Sequence, residues 1–469
     1  MSKRSKRMKF ITLKKQDMHS MFKNQETKVQ EELKFNVVQS AHNIAEPTQP
    51  LKTNEHAQMK IEPELMSQPA NELIQPKPKK ACLFHKFMKK FSSKRKELLT
   101  FDWDKFYKDV QYKTFSDGTK LPIAAEIKDL YLSFTNPARP GEKNLVLRGP
   151  SIQIYEGKVH AIIGESGSGK SVLTSLLYGL TGDNAVIDSG EVKLYNNNVE
   201  KFSFKDWERS GYRGRAVSAV FQNPMSTLNP TMKVGKQIME GMLVNKIVKT
   251  KKEAYERAVD FLRRTKINDP EAVMKLYPHE MSGGMIQRVV IATIVALEAK
   301  ILVMDEPTTA LDPTVQALVL DVIKELQHDL KLSIVFITHD LGVVASISDY
   351  ISIMYAGQII EEGTAKEILK NPQHPYTWGL IASMPDVNKG ERLATIRGSV
   401  PSSLNNIVGE AFAVRNDYAL DIDFVQEAQF YWVSETHRVK SALLDERAPE
   451  YQPPLLIQKL WKEFAESKN

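Results

Sequence analysis

The eight residues Gly164-Glu165-Ser166-Gly167-Ser168-Gly169-Lys170-Ser171 constrain this chain more than any other stretch. They fit G-x-x-x-x-G-K-[S/T] in full, and holding a polyphosphate needs that spacing. Gly164, Gly167 and Gly169 let the backbone turn tightly and approach an anion closely. Successive N–H groups then point inward at it. Lys170 is placed to set its charge against the β and γ phosphates, and Ser171 to offer its hydroxyl to a magnesium ion. The flanks agree: Lys158 to Ile163 reads as a buried strand, and Ser171 to Leu177 as a helix starting under the phosphates. A Gly/Ser loop matching by chance would not bring strand, loop and helix in that order.

The chain has 469 residues, enough for two or three domains with a large core. Apolar content of 42% and charged content of 26% are ordinary for a globular protein. No apolar run approaches the roughly 18 residues a membrane span requires. The start, Met1 to Phe10, is basic but lacks the apolar block of a secretory signal. Cys82 is the single cysteine, which excludes an internal disulfide framework and a cysteine-built metal site and suits a reducing cytoplasm. The net charge of +7 is unevenly spread: residues 1–100 carry 21 basic and 10 acidic side chains, the remainder 43 and 47. The basic character therefore lies in the tail. The slightly acidic body does not read as a nucleic-acid-binding surface, and no nucleic-acid partner is expected.

Residues 1–100 read as a largely disordered basic tail, rich in Lys, Gln, Asn, Glu and Pro. Within it, residues 81–91 place Leu83, Phe84, Phe87, Met88 and Phe91 at helical spacing among lysines. Such a segment suits either an anionic membrane surface or an ordinary solvated helix. From about residue 123 the texture changes. Glu126 to Phe134 alternates like a strand, and Leu145 to Leu147 with Ser151 to Ile154 suggests a hairpin-like antiparallel region. Val186 to Tyr195 adds strand and turn; Ala216 to Val220 is a short apolar strand ending in the polar loop Gln222-Asn223-Pro224. Residues 231–277 are mostly helical by pattern, an insertion leading to His279-Glu280-Met281-Ser282-Gly283-Gly284-Met285 and an apolar helix from about Gln287 to Leu297.

Ile301 to Met304 makes a buried parallel strand with Asp305 and Glu306 at its C-terminal end, where ligands bind in open α/β sheets. Asp305 is placed to hold magnesium, and Glu306 to orient and deprotonate a water attacking the γ phosphate. Asp312 precedes a helix from Val315 to about Leu330. Ser333 to Ile337 is another buried strand, ending in Thr338-His339-Asp340, so His339 also reaches the γ-phosphate position. Ile351 to Gly363 reads as a strand hairpin, Ala365 to Lys370 as a short helix and Leu456 to Phe464 as an amphipathic helix. The last hundred residues read as a small C-terminal domain without visible chemistry.

Taken in this order, the motifs resemble the ATP-binding cassette of ABC transporters over roughly residues 125–370, in the oligopeptide-permease branch of importers. Met281 to Met285 occupies the place of that family's LSGGQ signature, with Met285 as in the peptide-importer branch. Ile286 departs from the arginine usual there. Asn371 to Leu380, Ala413 to Ala419 and Leu443 to Pro449 resemble the same branch. Relatives that hold an iron–sulfur cluster use cysteines in this region, which this chain lacks, so no cluster is expected.

The resemblance implies an α/β P-loop NTPase cassette: a RecA-like parallel-sheet core, an antiparallel β subdomain, a helical subdomain at about 223–285 and a C-terminal α+β extension. The expected divisions are 1–100, 123–370 and 371–469. It implies ATP and Mg2+ as cofactors, and Phe134, with Tyr131 as competitor, stacking on adenine. Gln222 would reach the magnesium and the attacking water, and Asp312 would mark the loop crossing between subunits. Ser282, Gly283 and Gly284 would clamp ATP held by the opposite subunit at a helix N-terminus.

The implied partners are a second, homologous ATPase subunit arranged head to tail, two transmembrane permease subunits and an extracellular peptide-binding protein. The implied place is the cytoplasmic face of the cell membrane. The expected function is ATP hydrolysis powering oligopeptide uptake. The alternatives are a soluble non-transport ABC ATPase, which one phosphate loop and no sustained heptads disfavour, and a regulatory cassette, which intact Lys170, Asp305, Glu306 and His339 disfavour.

Overall fold

The computed structural model describes residues 101–139, 141–309, 311–384 and 395–467. The basic tail and its amphipathic segment at 81–91 lie outside them. Two sheets organise the rest. The first is antiparallel and is built on one long strand, β2 (Lys120–Thr135). Short β1 (Tyr112–Thr114) turns back onto its start. β3 (Lys143–Arg148) pairs with its far half and β4 (Ile152–Tyr155) with its near half. The two segments read as hairpin-like therefore do not pair with each other; they share β2 as their partner. β6 (Ala185–Leu194) and β7 (Asn197–Asn198) extend the sheet. The β2–β6 register shifts between Lys128 and Tyr131, beside Asp129, whose φ is +46°. A bulge there bends a strand too long to lie flat.

The second sheet carries the nucleotide motifs, in the order β13-β14-β12-β11-β5-β10-β9-β8. Its parallel part is β8 (Val217–Val220), β9 (Ile301–Asp305), β10 (Ser333–Thr338), β5 (Val159–Ile163) and β11 (Tyr350–Tyr355). β12 (Gln358–Thr364) then runs antiparallel, followed by β14 (Arg438–Lys440) and β13 (Phe430–Trp432). The C-terminal segment thus shares the cassette's own sheet. These strands read as unbroken apolar runs because both faces are covered. Val335 and Ile337 of β10 pack under the antiparallel sheet, while Ile334 and Phe336 pack on the helical side.

The helices that matter here are α1 (Lys170–Ser175), α2 (Val234–Val244), α3 (Lys251–Arg264), α4 (Gly283–Val295), α5 (Pro313–Leu330), α6 (Ala365–Lys370), α7 (Pro375–Ala382) and α8 (Leu455–Glu466). α2, α3 and α4 bury Ile238, Met242, Phe261, Leu262, Val289 and Val290 in one core with β9 and β10. α3 starts at Thr250, whose hydroxyl accepts from Glu253 N at 3.1 Å. Ile286 is fully buried in that core. α4 starts four residues before its apolar periodicity does. Ser282 caps it, accepting from Met285 N at 3.4 Å, and so offsets the poor helix propensity of Gly283 and Gly284. On the opposite flank, Tyr376, Trp378 and Ile457 from α7 and α8 pack with Ile163 and Ile353 in a further core.

Candidate active site

β5 delivers the chain directly into the glycine-rich loop, and α1 leaves it. Gly169, at φ +100°, makes the turn into α1. Gly164 is required by crowding: a Cβ there would lie 2.1 Å from the Met354 carbonyl oxygen. Lys170 is only 6% exposed and curls back, donating Nζ–H to the carbonyls of Gly164 (2.8 Å) and Glu165 (2.9 Å). Burial lowers its pKa, opposed by the charges of Glu306, Asp305 and Glu165. The Ser168 hydroxyl is buried with no hydrogen-bond partner among the described residues. A buried cation tied only to carbonyls, together with an orphaned hydroxyl inside the loop, fits a site for polyphosphate. A cation and free donors there gain most from an anion.

β9 and β10 end beside this loop. Glu306 N donates to Ile337 O at 2.9 Å, and Glu306 adopts φ +46°, a left-handed conformation that costs a side-chain-bearing residue about 1–2 kcal/mol. Three donors converge on its carboxylate. Gln222 Nε2 reaches Oε2 at 2.9 Å and Thr309 Oγ1 reaches the same oxygen at 3.0 Å; His339 Nδ1 lies 3.2 Å from Oε1. Burial pushes Glu306 up, but hydrogen bonds from His339, Thr309 and Gln222 outweigh it, so its pKa falls below the ordinary glutamate value. Asp305 moves the other way. Burial and the neighbouring Glu306 charge raise it, against a hydrogen bond from Ser171 and the charge of Lys170. Ser171 and Asp305 together are hard oxygen donors of the type magnesium takes.

The sequence-proposed residues therefore divide. Gly164 to Ser171, Asp305, Glu306, Gln222 and His339 form one group around the ends of β5, β9 and β10. Ser282, Gly283 and Gly284 stand at the start of α4, with Ser282 and Gly283 exposed. Asp312 caps α5, its Oδ1 accepting from Thr314 N (3.1 Å) and Val315 N (3.0 Å). Phe134 is opposite Asn144 on β3, two and three residues from Val146 and Leu147, which a Cβ on Gly169 would touch. Tyr131, 41% exposed, lies instead against Gly149.

Sequence reasoning missed two residues at the loop. Tyr376 Oη accepts from Glu165 N at 3.0 Å, and Arg415 forms a bidentate ion pair with the Glu165 carboxylate. The C-terminal segment, read as having no chemistry, thus touches the phosphate loop.

A phosphate loop, an acidic strand end with its polar partners and a serine-capped diglycine helix define an ATP-binding cassette. Comparison with known proteins agrees. The ABC transporter family profile matches residues 147–309, and the profile for the oligopeptide/dipeptide transporter C-terminal region matches 360–422. The dipeptide transport ATP-binding protein DppD of Lactococcus lactis is 46% identical over 344 residues, covering 73% of this chain and 97% of the relative. The oligopeptide transport ATP-binding protein OppD of Bacillus subtilis is 45% identical over 343 residues, covering 72% and 94%. Among solved structures, cbiO1 from Clostridium perfringens, part of an ABC transporter complex, is 26% identical with a TM-score of 0.46, covering 53% of this chain and 91% of that one. The chain belongs to the ATP-binding proteins of ABC transporters, in the branch that carries the oligopeptide/dipeptide C-terminal region. It is an ATPase of that family and binds ATP. Among the described residues no helix is long and apolar enough to cross a membrane.

Proposed function

We propose that the chain is the ATP-hydrolysing subunit of an importer that takes up oligopeptides, working at the cytoplasmic face of the cell membrane. Its partners in this reading are a second, homologous ATPase subunit in a head-to-tail dimer, two transmembrane permease subunits and an extracellular peptide-binding protein. The observation that carries the catalytic part is the convergence of Gln222, Thr309 and His339 on the Glu306 carboxylate, beside Lys170 and Ser171.

Lys170 exchanges its two carbonyl partners for phosphate oxygens, and the loop's N–H groups complete the cradle. Glu306 is the general base: it is ionised, and the donors on its carboxylate hold it in place to take the proton as the water attacks, although the same hydrogen bonds weaken it as a base. His339 and Gln222 orient that carboxylate and the water. Ser171, Asp305 and Gln222 are the residues that would hold Mg2+, which supplies charge neutralisation at the phosphate oxygens. Phe134 supports the adenine. Ser282 to Gly284 present a helix N-terminus to the ATP on the partner subunit, so each chain completes half of each site. ATP drives closure because the closed dimer binds it better than the open one.

Purification of the intact complex followed by ATPase assay with peptide tests this reading. It expects permease subunits to co-purify and peptide to stimulate turnover. Recovery of ribosomes in place of membrane subunits, with turnover indifferent to peptide, would overturn it.

A further inference from the structure

We propose that Arg415 and Tyr376 of the C-terminal segment are positioning residues of the phosphate loop, holding Glu165 so that the loop is shaped before nucleotide arrives. The inference rests on the ATPase reading above. It makes the segment beyond the cassette a determinant of ATP affinity.

Glu165 is the first variable residue of the loop, and each of its polar groups is engaged. Its carbonyl accepts from Lys170 Nζ at 2.9 Å and from Ser168 N at 3.2 Å. Its N–H donates to Tyr376 Oη at 3.0 Å. Its carboxylate takes Arg415 Nη1 at 3.0 and 3.1 Å and Nη2 at 3.1 Å. Two of these four partners, Tyr376 and Arg415, are 211 and 250 positions away in the chain.

The anchors are themselves held. Tyr376 is fully buried, with its ring 4.8 Å from that of Tyr355. The Arg415 side chain is 7% exposed, donates Nε–H to Arg397 O at 2.6 Å, and lies over the Tyr355 ring at 5.6 Å. A guanidinium with its fork and its face both used is a rigid clamp in a way that a lysine cannot be. Its effect passes to the reacting end through one residue, because the carbonyl of Glu165 is also a rest position for Lys170 Nζ. A loop left loose would have to be ordered by the nucleotide itself, at the expense of binding.

Full-length wild type and variants can be compared by MgATP binding, steady-state hydrolysis and thermal melting. Arg415→Ala should raise the ATP Kd and KM about tenfold and leave kcat within about threefold, since shaping the loop serves ground and transition states alike. Arg415→Lys should recover part of the loss. Tyr376→Phe, which deletes only the hydroxyl and keeps the packing, should raise KM about threefold. Glu165→Ala should match Arg415→Ala, and the double variant should be no worse than either single, as expected of one shared interaction. A lower melting temperature with unchanged KM in Arg415→Ala and Tyr376→Phe would make these contacts mere glue and overturn the proposal. So would losses that multiply in the double variant. Failure of the underlying ATPase reading looks different: Lys170→Ala would then hydrolyse ATP as well as wild type.

Discussion

The phosphate loop and the signature segment are two glycine-rich helix starts in one chain, built in opposite ways. Around the first, the chain closes on itself. Gly164 has the Met354 carbonyl where a Cβ would sit, and Lys170 is buried on two carbonyls. Glu165 is held from the C-terminal segment. Around the second, the chain stands open. A Cβ on Gly283 would meet nothing within 4 Å, and the Ser282 hydroxyl is spent on capping α4. Gly284 lies between these cases, since its Cβ would meet Val315 of α5 at 2.6 Å. Gly164 is required by this chain's own packing, and Gly167 and Gly169 by their left-handed backbone, at φ +81° and +100°. Gly283 has neither requirement within this chain, which is what the proposed head-to-tail dimer, with ATP of a partner subunit against this helix start, would account for.

The sharpest way to break the comparison is at the chemistry of the closed half. Glu306→Gln keeps the shape and the contacts to Gln222 and Thr309 but removes the base. Turnover should fall about a thousandfold with ATP binding retained and the closed dimer accumulating, read by hydrolysis assay and size-exclusion chromatography. Unchanged turnover would remove Glu306 from its role. Gly164→Ala comes next. The added methyl must displace the Met354 carbonyl or the loop, so the variant should lose about 1–3 kcal/mol of stability and bind ATP poorly, seen in denaturant melts and nucleotide titration. Asp312→Ala is the mildest. It removes the cap of α5 and should cost about 1 kcal/mol in the same melts. A loss of turnover beyond what that destabilisation explains would add a role between subunits to the capping role.

How much of this was legible in the sequence follows from how local each signal is. The phosphate loop, the strand ends at Asp305 and His339, and the helix of Ala365 to Lys370 are written in contiguous residues, and the structure places them as the patterns imply. The start of α4 was harder to see because two glycines speak against a helix, and only the Ser282 cap reverses that. The partnering of β3 and β4 with β2 could not be read from alternation, which fixes the faces of a strand but not its neighbour. The continuation of the sheet through β12, β14 and β13 joins residues about 76 positions apart, as in the register of Glu362 with Arg438. The Arg415 and Tyr376 contacts with Glu165 depend on a meeting over still longer separations. A lone arginine in a loop-rich segment carries no local mark of such a contact.

Gly283→Asp tests the central claim most directly, measured as thermal melting and ATPase activity of the same preparation. The position is exposed, nothing in this chain crowds it, and a carboxylate in the first turn of α4 favours that helix by about 0.3–1 kcal/mol. The same carboxylate would face the phosphates of ATP on a partner subunit. The expected result is an unchanged or slightly raised melting temperature, unchanged nucleotide binding by the isolated chain, and ATPase activity reduced at least about a hundredfold. Wild-type activity in Gly283→Asp would contradict it, because the exposed diglycine would then complete no site on another chain.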